Sequence, residues 1–243
     1  MPEVSEQREV DEAVAQIAGS VEVLARALHV RDAQLQPTLD AIVSAAASTL
    51  NAGRDAGLIL LEHGRLVPQA TSGRAPLYLD LQQRQAGEGP CIEAARQQAV
   101  IRIDDTRSDP RWAGFMAEAV KYDVLSLLCI PLWVDERCLG TLSLYAGEPA
   151  AFTDLDERIT TMFATMAALA LADAQRAEQM RAAVVSRDLI GQAKGILMER
   201  HRITADAAFT LLAGASQRRN IKLTEIAADF VETGELTGAP GLS

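Results

Sequence analysis

Histidine and cysteine are scarce in this 243-residue chain, with three of each. The cysteines, Cys91, Cys129 and Cys138, are odd in number and contain no CxxC pair, which suits free thiols in a reducing compartment and not a disulfide framework. The histidines, His29, His63 and His201, lie far apart. No Ser-His-acid set can be assembled around them, and no Cys, His or carboxylate cluster has metal-ligand spacing. Phosphate-cradling signatures are also missing, because Gly87-Glu88-Gly89 is not followed by the lysine such a loop needs. No matched carboxylate pair stands out. The chain is therefore expected not to be an enzyme and to hold no metal or obligatory cofactor. It has no basic-then-apolar N-terminal signal and no run of about 18 apolar residues. The Ala-rich stretch from Met162 to Ala172 is interrupted by Thr165 and stops at Asp173. A cytoplasmic protein without a membrane partner is expected.

What the chain does have is apolar material, 49% of residues, enough for one large domain or two small ones. The net charge of −10 argues at first against nucleic acid, yet it is unevenly spread. From Arg181 onward eight cations face seven acids, a surplus of one, so the preceding body carries −11. Any surface for phosphate must then be local and shaped, not a broad basic field.

Hydrophobic spacing divides the chain. Val10, Val14, Ile17, Val21, Leu24 and Leu28 form a heptad seam, read as a coiled-coil or bundle helix over residues 1–34, with an amphipathic helix on its own domain as the alternative. A helix is expected over Leu39 to Leu50. The period then changes. Ala56 to Leu61 and Arg65 to Ala70 read as a hairpin across His63-Gly64. Short helices are expected at Leu77 to Arg84, Cys91 to Gln98 and Arg111 to Tyr122, and strands at Val100 to Ile103, Val124 to Leu132 and Leu139 to Tyr145, with Asp135-Glu136-Arg137 turning the chain. Trp112 and Trp133 read as core or rim residues. Such an order implies an α+β domain built on an antiparallel sheet with flanking helices.

Thr153 or Asp154 can cap a further helix, in which Leu155, Ile159, Met162, Met166 and Leu169 repeat the heptad. No glycine or proline occurs between Asp154 and Val185, so one long helix can run on towards the last segment. There Ile190, Ala193 and Leu197 share a face. Thr204 can cap a second helix with a stripe of Ala208, Phe209, Leu211, Leu212 and Ala215, and Leu223, Ile226, Ala227, Phe230 and Val231 make a third. Residues 237–243, with Gly238, Pro240 and Gly241, are expected to be disordered.

Two strings carry family resemblances. The run Arg187-Asp188-Leu189-Ile190-Gly191-Gln192-Ala193-Lys194-Gly195-Ile196-Leu197-Met198, with Ala208-Phe209, Ser216-Gln217, Asn220, Lys222-Leu223 and Ala227 behind it, resembles the ANTAR domain over roughly Arg181 to Glu235. That resemblance implies a three-helix domain, acting as a homodimer, that binds hairpins of structured nascent RNA and prevents premature termination. It implies RNA contact at Arg187, Gln192, Ala193, Lys194, Gly195, Ser216, Arg218, Arg219, Asn220 and Lys222. Read as residues alone, Ala193 and Gly195 allow tight helix packing just as well as close approach of a sugar-phosphate backbone. Ser216 and Asn220 can equally turn the chain, and basic residues there also suit a helix C-terminus. The chain departs from the pattern at Ala213-Gly214, where family members often carry Arg, and at Thr224, where a further basic residue is common.

Upstream, Gly87-Glu88-Gly89-Pro90-Cys91, Asp109-Pro110-Arg111-Trp112 with Phe115, and Leu132 with Leu139 to Tyr145 resemble a GAF domain over about residues 35–172. This implies a pocket between sheet and helices for an unidentified small molecule, lined by Leu60, Cys91, Leu127, Cys129 and Tyr145. Haem is disfavoured for want of a placed axial histidine. Cys91 stands as a redox thiol or bilin attachment point, against the commoner role of a small buried packing residue. The acids of a phosphorylated receiver domain are not found. The expected organisation is thus a helix over 1–34, a sensor over 35–172, and a connecting helix with the RNA-binding domain over 173–236. A signal-responsive antitermination regulator follows from the two resemblances. The alternatives are a DNA-binding regulator, which the acidic body opposes, and a protein-binding sensor with a degenerate RNA domain, which the missing arginines favour.

Overall fold

The computed structural model describes residues 34–49 and 55–236, together with Gly19 and Glu22. The N-terminal heptad seam and the C-terminal tail expected from sequence lie outside the described residues. The chain divides into two compact units between Arg176 and Ala177.

The first unit is built on a five-stranded antiparallel sheet. Helix α1 (Leu35–Thr49) precedes the hairpin β1 (Asp55–Glu62) and β2 (Arg65–Thr71). His63 and Gly64 turn it with φ of 50° and 78°, the left-handed pair that matches the twist of the strands. Helices α2 (Arg74–Ala86) and α3 (Pro90–Gln97) follow, then β3 (Ile101–Ile103), α4 (Ala113–Lys121), β4 (Ser126–Val134) and β5 (Arg137–Ala146). The sheet order is β2-β1-β5-β4-β3. The β4–β5 turn is tighter than the sequence suggests. Val134 pairs with Arg137, leaving only Asp135-Glu136 to reverse the chain, with Asp135 at φ 54°.

Side chains alternate across the sheet with period two, and this sorts the core into layers. Leu58 and Leu60 of β1, Leu128, Ile130 and Leu132 of β4, and Leu142 and Leu144 of β5 share one face. They pack against Leu39, Ile42, Val43 and Ala46 of α1, and against Ile159, Phe163, Ala167 and Leu171 from the start of helix α5 (Asp154–His201). The other face carries Ile59, Leu127, Cys129 and Tyr145, covered by Leu79 of α2, Cys91 and Ala94 of α3, and Phe115, Met116 and Ala119 of α4. Trp112 and Trp133 are half-buried at the rim.

Helix α5 starts from a capping box. The Thr153 hydroxyl accepts from Asp156 N at 3.2 Å, and Asp156 Oδ2 accepts from Thr153 N at 2.9 Å. The helix then runs without interruption for 48 residues. The heptad read over Leu155 to Leu169 is split by the fold. Ile159 is buried against the sheet, whereas Leu155, Met162 and Leu169, spaced by seven, are exposed.

The second unit joins the end of α5 to α6 (Ala205–Arg219) and α7 (Leu223–Thr233). Thr204 caps α6 by accepting from Ala207 N, and Gly234 closes α7 at φ 73°. Ala193, Leu197, Ala208, Leu212, Ala215, Ile226, Ala227 and Phe230 make the core. Phe209, placed by the sequence in the apolar stripe of α6, is 44% exposed instead. It lies about 100° around the helix from the buried Ala208, so both cannot face the same core.

Candidate nucleic-acid interface and sensor core

In the second unit the residues expected to contact RNA lie on the C-terminal third of α5 and around the turn between α6 and α7. Along α5, Arg187, Gly191 and Gly195 recur every four residues on one face, and all three are exposed. A Cβ built on Gly191 or Gly195 would meet nothing within 4 Å. Each glycine costs a helix about 1 kcal/mol relative to alanine, and no packing contact here recovers it. The two positions leave a strip of bare helix backbone open to a partner, flanked by exposed Gln192 and half-buried Lys194.

Ala193 behaves differently. It is fully buried against α6 and α7, so its smallness serves helix packing and it offers no surface for contact. Ser216 and Asn220 form the turn that follows α6. The Ser216 hydroxyl donates to the Ile221 carbonyl at 2.6 Å, and Asn220 takes the left-handed cap position at φ 52°. Arg218, Arg219 and Lys222 are exposed beside this turn. The Arg218 guanidinium passes over Gly214, with Nη1 3.0 Å from where a Cβ would sit. Gly214 thus leaves room for that guanidinium. Arg219 reaches Asp229 of α7 at 3.5 Å. Arg200 was not singled out by sequence. It donates to the Gly234 carbonyl at the end of α7 and lies 5.7 Å over the Phe230 ring, joining two helix ends.

In the first unit, four of the five expected pocket residues come together. Cys91, Leu127, Cys129 and Tyr145 lie in the core between the sheet and helices α2, α3 and α4, all buried. Leu60 has the opposite strand parity and belongs to the core under α1 and α5. Around the thiols sits a buried polar cluster that sequence reasoning missed. Gln83 of α2 accepts from Cys91 N through Oε1 at 2.8 Å and donates from Nε2 to Cys91 Sγ at 3.1 Å, so its amide caps the start of α3. Gly89 makes that reach possible. Its φ is 143°, and a Cβ there would stand 2.4 Å from the Gln83 side chain. Cys91 Sγ lies 3.3 Å from Cys129 Sγ and 3.0 Å from Ser143 Oγ. Tyr145 donates its hydroxyl to Asp80 Oδ1 at 2.5 Å, and Asp80 Oδ2 is buried without a hydrogen-bond partner.

Burial, and next the nearby Cys91, push the Asp80 carboxyl well above the usual carboxylate range, against the hydrogen bond from Tyr145, which lowers it. Burial also raises Tyr145 and Cys129 well above their ordinary values. For Cys91 burial pushes upward, but hydrogen bonds from Cys129, Ser143, Gln83 and Tyr145 outweigh it and bring the thiol to about 7.

Beside this core is a cavity of about 490 Å³ between the β1–β2 hairpin, α2 and α3. Arg65, Arg84 and Arg96 stand at its wall with Leu66, Ile92 and Cys138. Among the described residues no group of three or more His, Cys, Asp or Glu is placed to hold a metal ion, and no helix is long and apolar enough to cross a membrane.

Residues 34–171 match the family model described as GAF domain, and residues 178–231 match that described as ANTAR domain. No curated protein matches the chain. Among solved structures, the GAF domain of a phosphoenolpyruvate-protein phosphotransferase from Acinetobacter is similar at 15% identity and a TM-score of 0.53, covering 69% of this chain and 98% of that one. A free methionine-R-sulfoxide reductase from Neisseria meningitidis, solved with its substrate, is similar at 19% identity and a TM-score of 0.52, covering 66% of this chain and 93% of that one. At these identities the likeness speaks for the fold of the first unit.

Proposed function

Because the chain belongs to the GAF domain family and carries an ANTAR domain behind its GAF domain, we propose that it is a signal-regulated RNA-binding regulator that acts on nascent transcripts. In this reading the C-terminal domain grips paired RNA hairpins and holds an antiterminator arrangement, a homodimer supplies two such tips, and the GAF domain supplies the control. The domain composition is that of a regulator, although the same fold also houses an enzyme, the sulfoxide reductase noted above.

The observation that carries the proposal is the bare strip on α5. Gly191 and Gly195 are exposed and pack against nothing, so their cost to the helix is explained by a partner that must come close to the backbone. Arg187 and Lys194 beside the strip, with Arg218, Arg219 and Lys222 across the α6–α7 turn, provide the charge that phosphates require. A local patch of this kind suits a folded RNA better than straight duplex DNA, since the body of the chain carries a net −11.

The test is a titration of the full chain with an RNA of two adjacent hairpins, compared with a scrambled RNA and a duplex DNA at equal salt. Preferential, salt-sensitive binding to the hairpins that weakens in Lys194→Ala is the expected result. Equal affinity for all three nucleic acids would sink the reading, and preference for the duplex would favour a DNA-binding regulator.

A further inference from the structure

We propose that Cys91 and Cys129 are a buried oxidisable thiol pair, which hydrogen peroxide or an organic hydroperoxide converts to a disulfide inside the sensor core. The two sulfurs already touch at 3.3 Å, although 38 residues separate them in sequence. A disulfide needs about 2.05 Å, so the sulfurs must close by only a little over 1 Å. Both thiols are free and fully buried, whereas Cys138, the third cysteine, is half-buried at the wall of the neighbouring cavity.

The surroundings divide the two roles. Cys91 is the second residue of α3, where the helix N-terminus favours an anion. Gln83 Nε2 at 3.1 Å and Ser143 Oγ at 3.0 Å can both donate to its sulfur. The Cys129 thiol, followed by these two contacts and Tyr145, brings Cys91 to about 7 against its burial, whereas burial raises Cys129 well above the usual thiol range. Cys91 is therefore the attacking group and Cys129 the resolving one.

The chemistry balances. The Cys91 thiolate attacks one oxygen of the hydroperoxide, the O–O bond breaks, and water or an alcohol leaves after taking a proton. Cys91 is now a sulfenic acid. The Cys129 sulfur attacks it, the S–S bond forms, the S–O bond breaks, and a second water leaves carrying the Cys129 proton. Two thiols lose two electrons and the peroxide gains them. Arg84, Gly87 and Ile92 line the open cavity, and Arg84 and Ile92 are the immediate chain neighbours of Gln83 and Cys91. The bond would pin the start of α3 to the middle of β4, next to the cavity that Ile92, Ala95 and Arg96 help to form. Nothing in this inference depends on RNA binding.

The sequence makes the test clean. Trypsin releases the three cysteines on separate peptides, residues 85–96, 122–137 and 138–158. The reduced full chain is exposed to hydrogen peroxide under native conditions, remaining thiols are blocked with N-ethylmaleimide, and the digest is read by mass spectrometry without reduction. The expected result is a linked pair of the first two peptides, two hydrogens lighter than their sum, with Cys138 alkylated. A second measurement uses Cys129→Ala, in which dimedone should trap a sulfenic acid on Cys91. Full alkylation of Cys91 and Cys129 after oxidation, a linkage to Cys138, or a Cys91–Cys129 bond that appears only in denaturant would each overturn the proposal.

Discussion

A single buried carboxyl shows how a residue can set the pH response of a domain. Asp80 is held above its ordinary range in the folded protein, chiefly by burial. Between its unfolded and folded values the folded state binds the extra proton, so stability is highest below the unfolded value near 3.9 and falls as pH rises towards the folded one. Asp80→Asn keeps an acceptor for the Tyr145 hydroxyl and removes the titration. Denaturant midpoints measured from pH 5 to 8 should decline with pH in the wild type and run flatter in the variant. Gly195 makes the opposite kind of statement. Gly195→Ala meets no neighbour, so it should stabilise the second unit by about 1 kcal/mol in thermal or denaturant unfolding. On the proposed reading the same methyl would stand in the path of the RNA, and hairpin affinity should fall while stability rises. A variant that gains stability with unchanged affinity would remove the strip from the interface. Neither residue was equally readable beforehand. Gly195 announced itself as a glycine within a helical pattern, but only the packing separates it from Ala193, two residues away and fully buried. Asp80 was invisible, because an acid in a helix rich in polar residues reads as a solvated face, and its partner Tyr145 lies 65 residues on.

At the level of elements, the strands were legible because their apolar period changes from that of the helices around them, and because His63-Gly64 fits a tight hairpin. What stayed hidden was strand parity and long-range closure. One residue of parity moves Leu60 from the presumed pocket to the opposite core. The Cys91–Cys129–Ser143 cluster joins α3, β4 and β5, and no local pattern encodes such a meeting. Helix α5 carries two predictions of its own. Its exposed residues Leu155, Met162 and Leu169 repeat at seven, the spacing of a coiled-coil seam. If they meet a second copy, Met162→Lys combined with Leu169→Lys should halve the mass found by light scattering at equal concentration, and an unchanged mass would place any dimer contact elsewhere. At its far end Arg200 holds the Gly234 carbonyl and covers Phe230. Arg200→Ala should cost the second unit about 1 kcal/mol, seen as faster amide exchange in α7 with the first unit unaffected.

For the whole molecule, charge decides how RNA binding responds to salt. A body at −11 and a final segment near neutrality leave only a few cations to engage phosphate. Hairpin affinity should fall linearly on a log–log plot against salt, with a shallow slope. Replacing one phosphate-contacting cation, as in Lys194→Ala, should reduce that slope by about one. A slope that does not change would mean that Lys194 is a solvated charge with no phosphate partner.

The unbroken course of α5 from Asp154 to His201 has a consequence for how such a chain can lengthen or shorten. Each residue inserted into an ideal helix turns everything after it by about 100°. An insertion near Arg176 of one or four residues would shift the Gly191 and Gly195 positions to another face of the helix relative to Leu155, Met162 and Leu169, while seven or eleven would bring them back to within about 20°. Natural length variation in this stretch is therefore expected in steps of seven or eleven, like teeth on a gear.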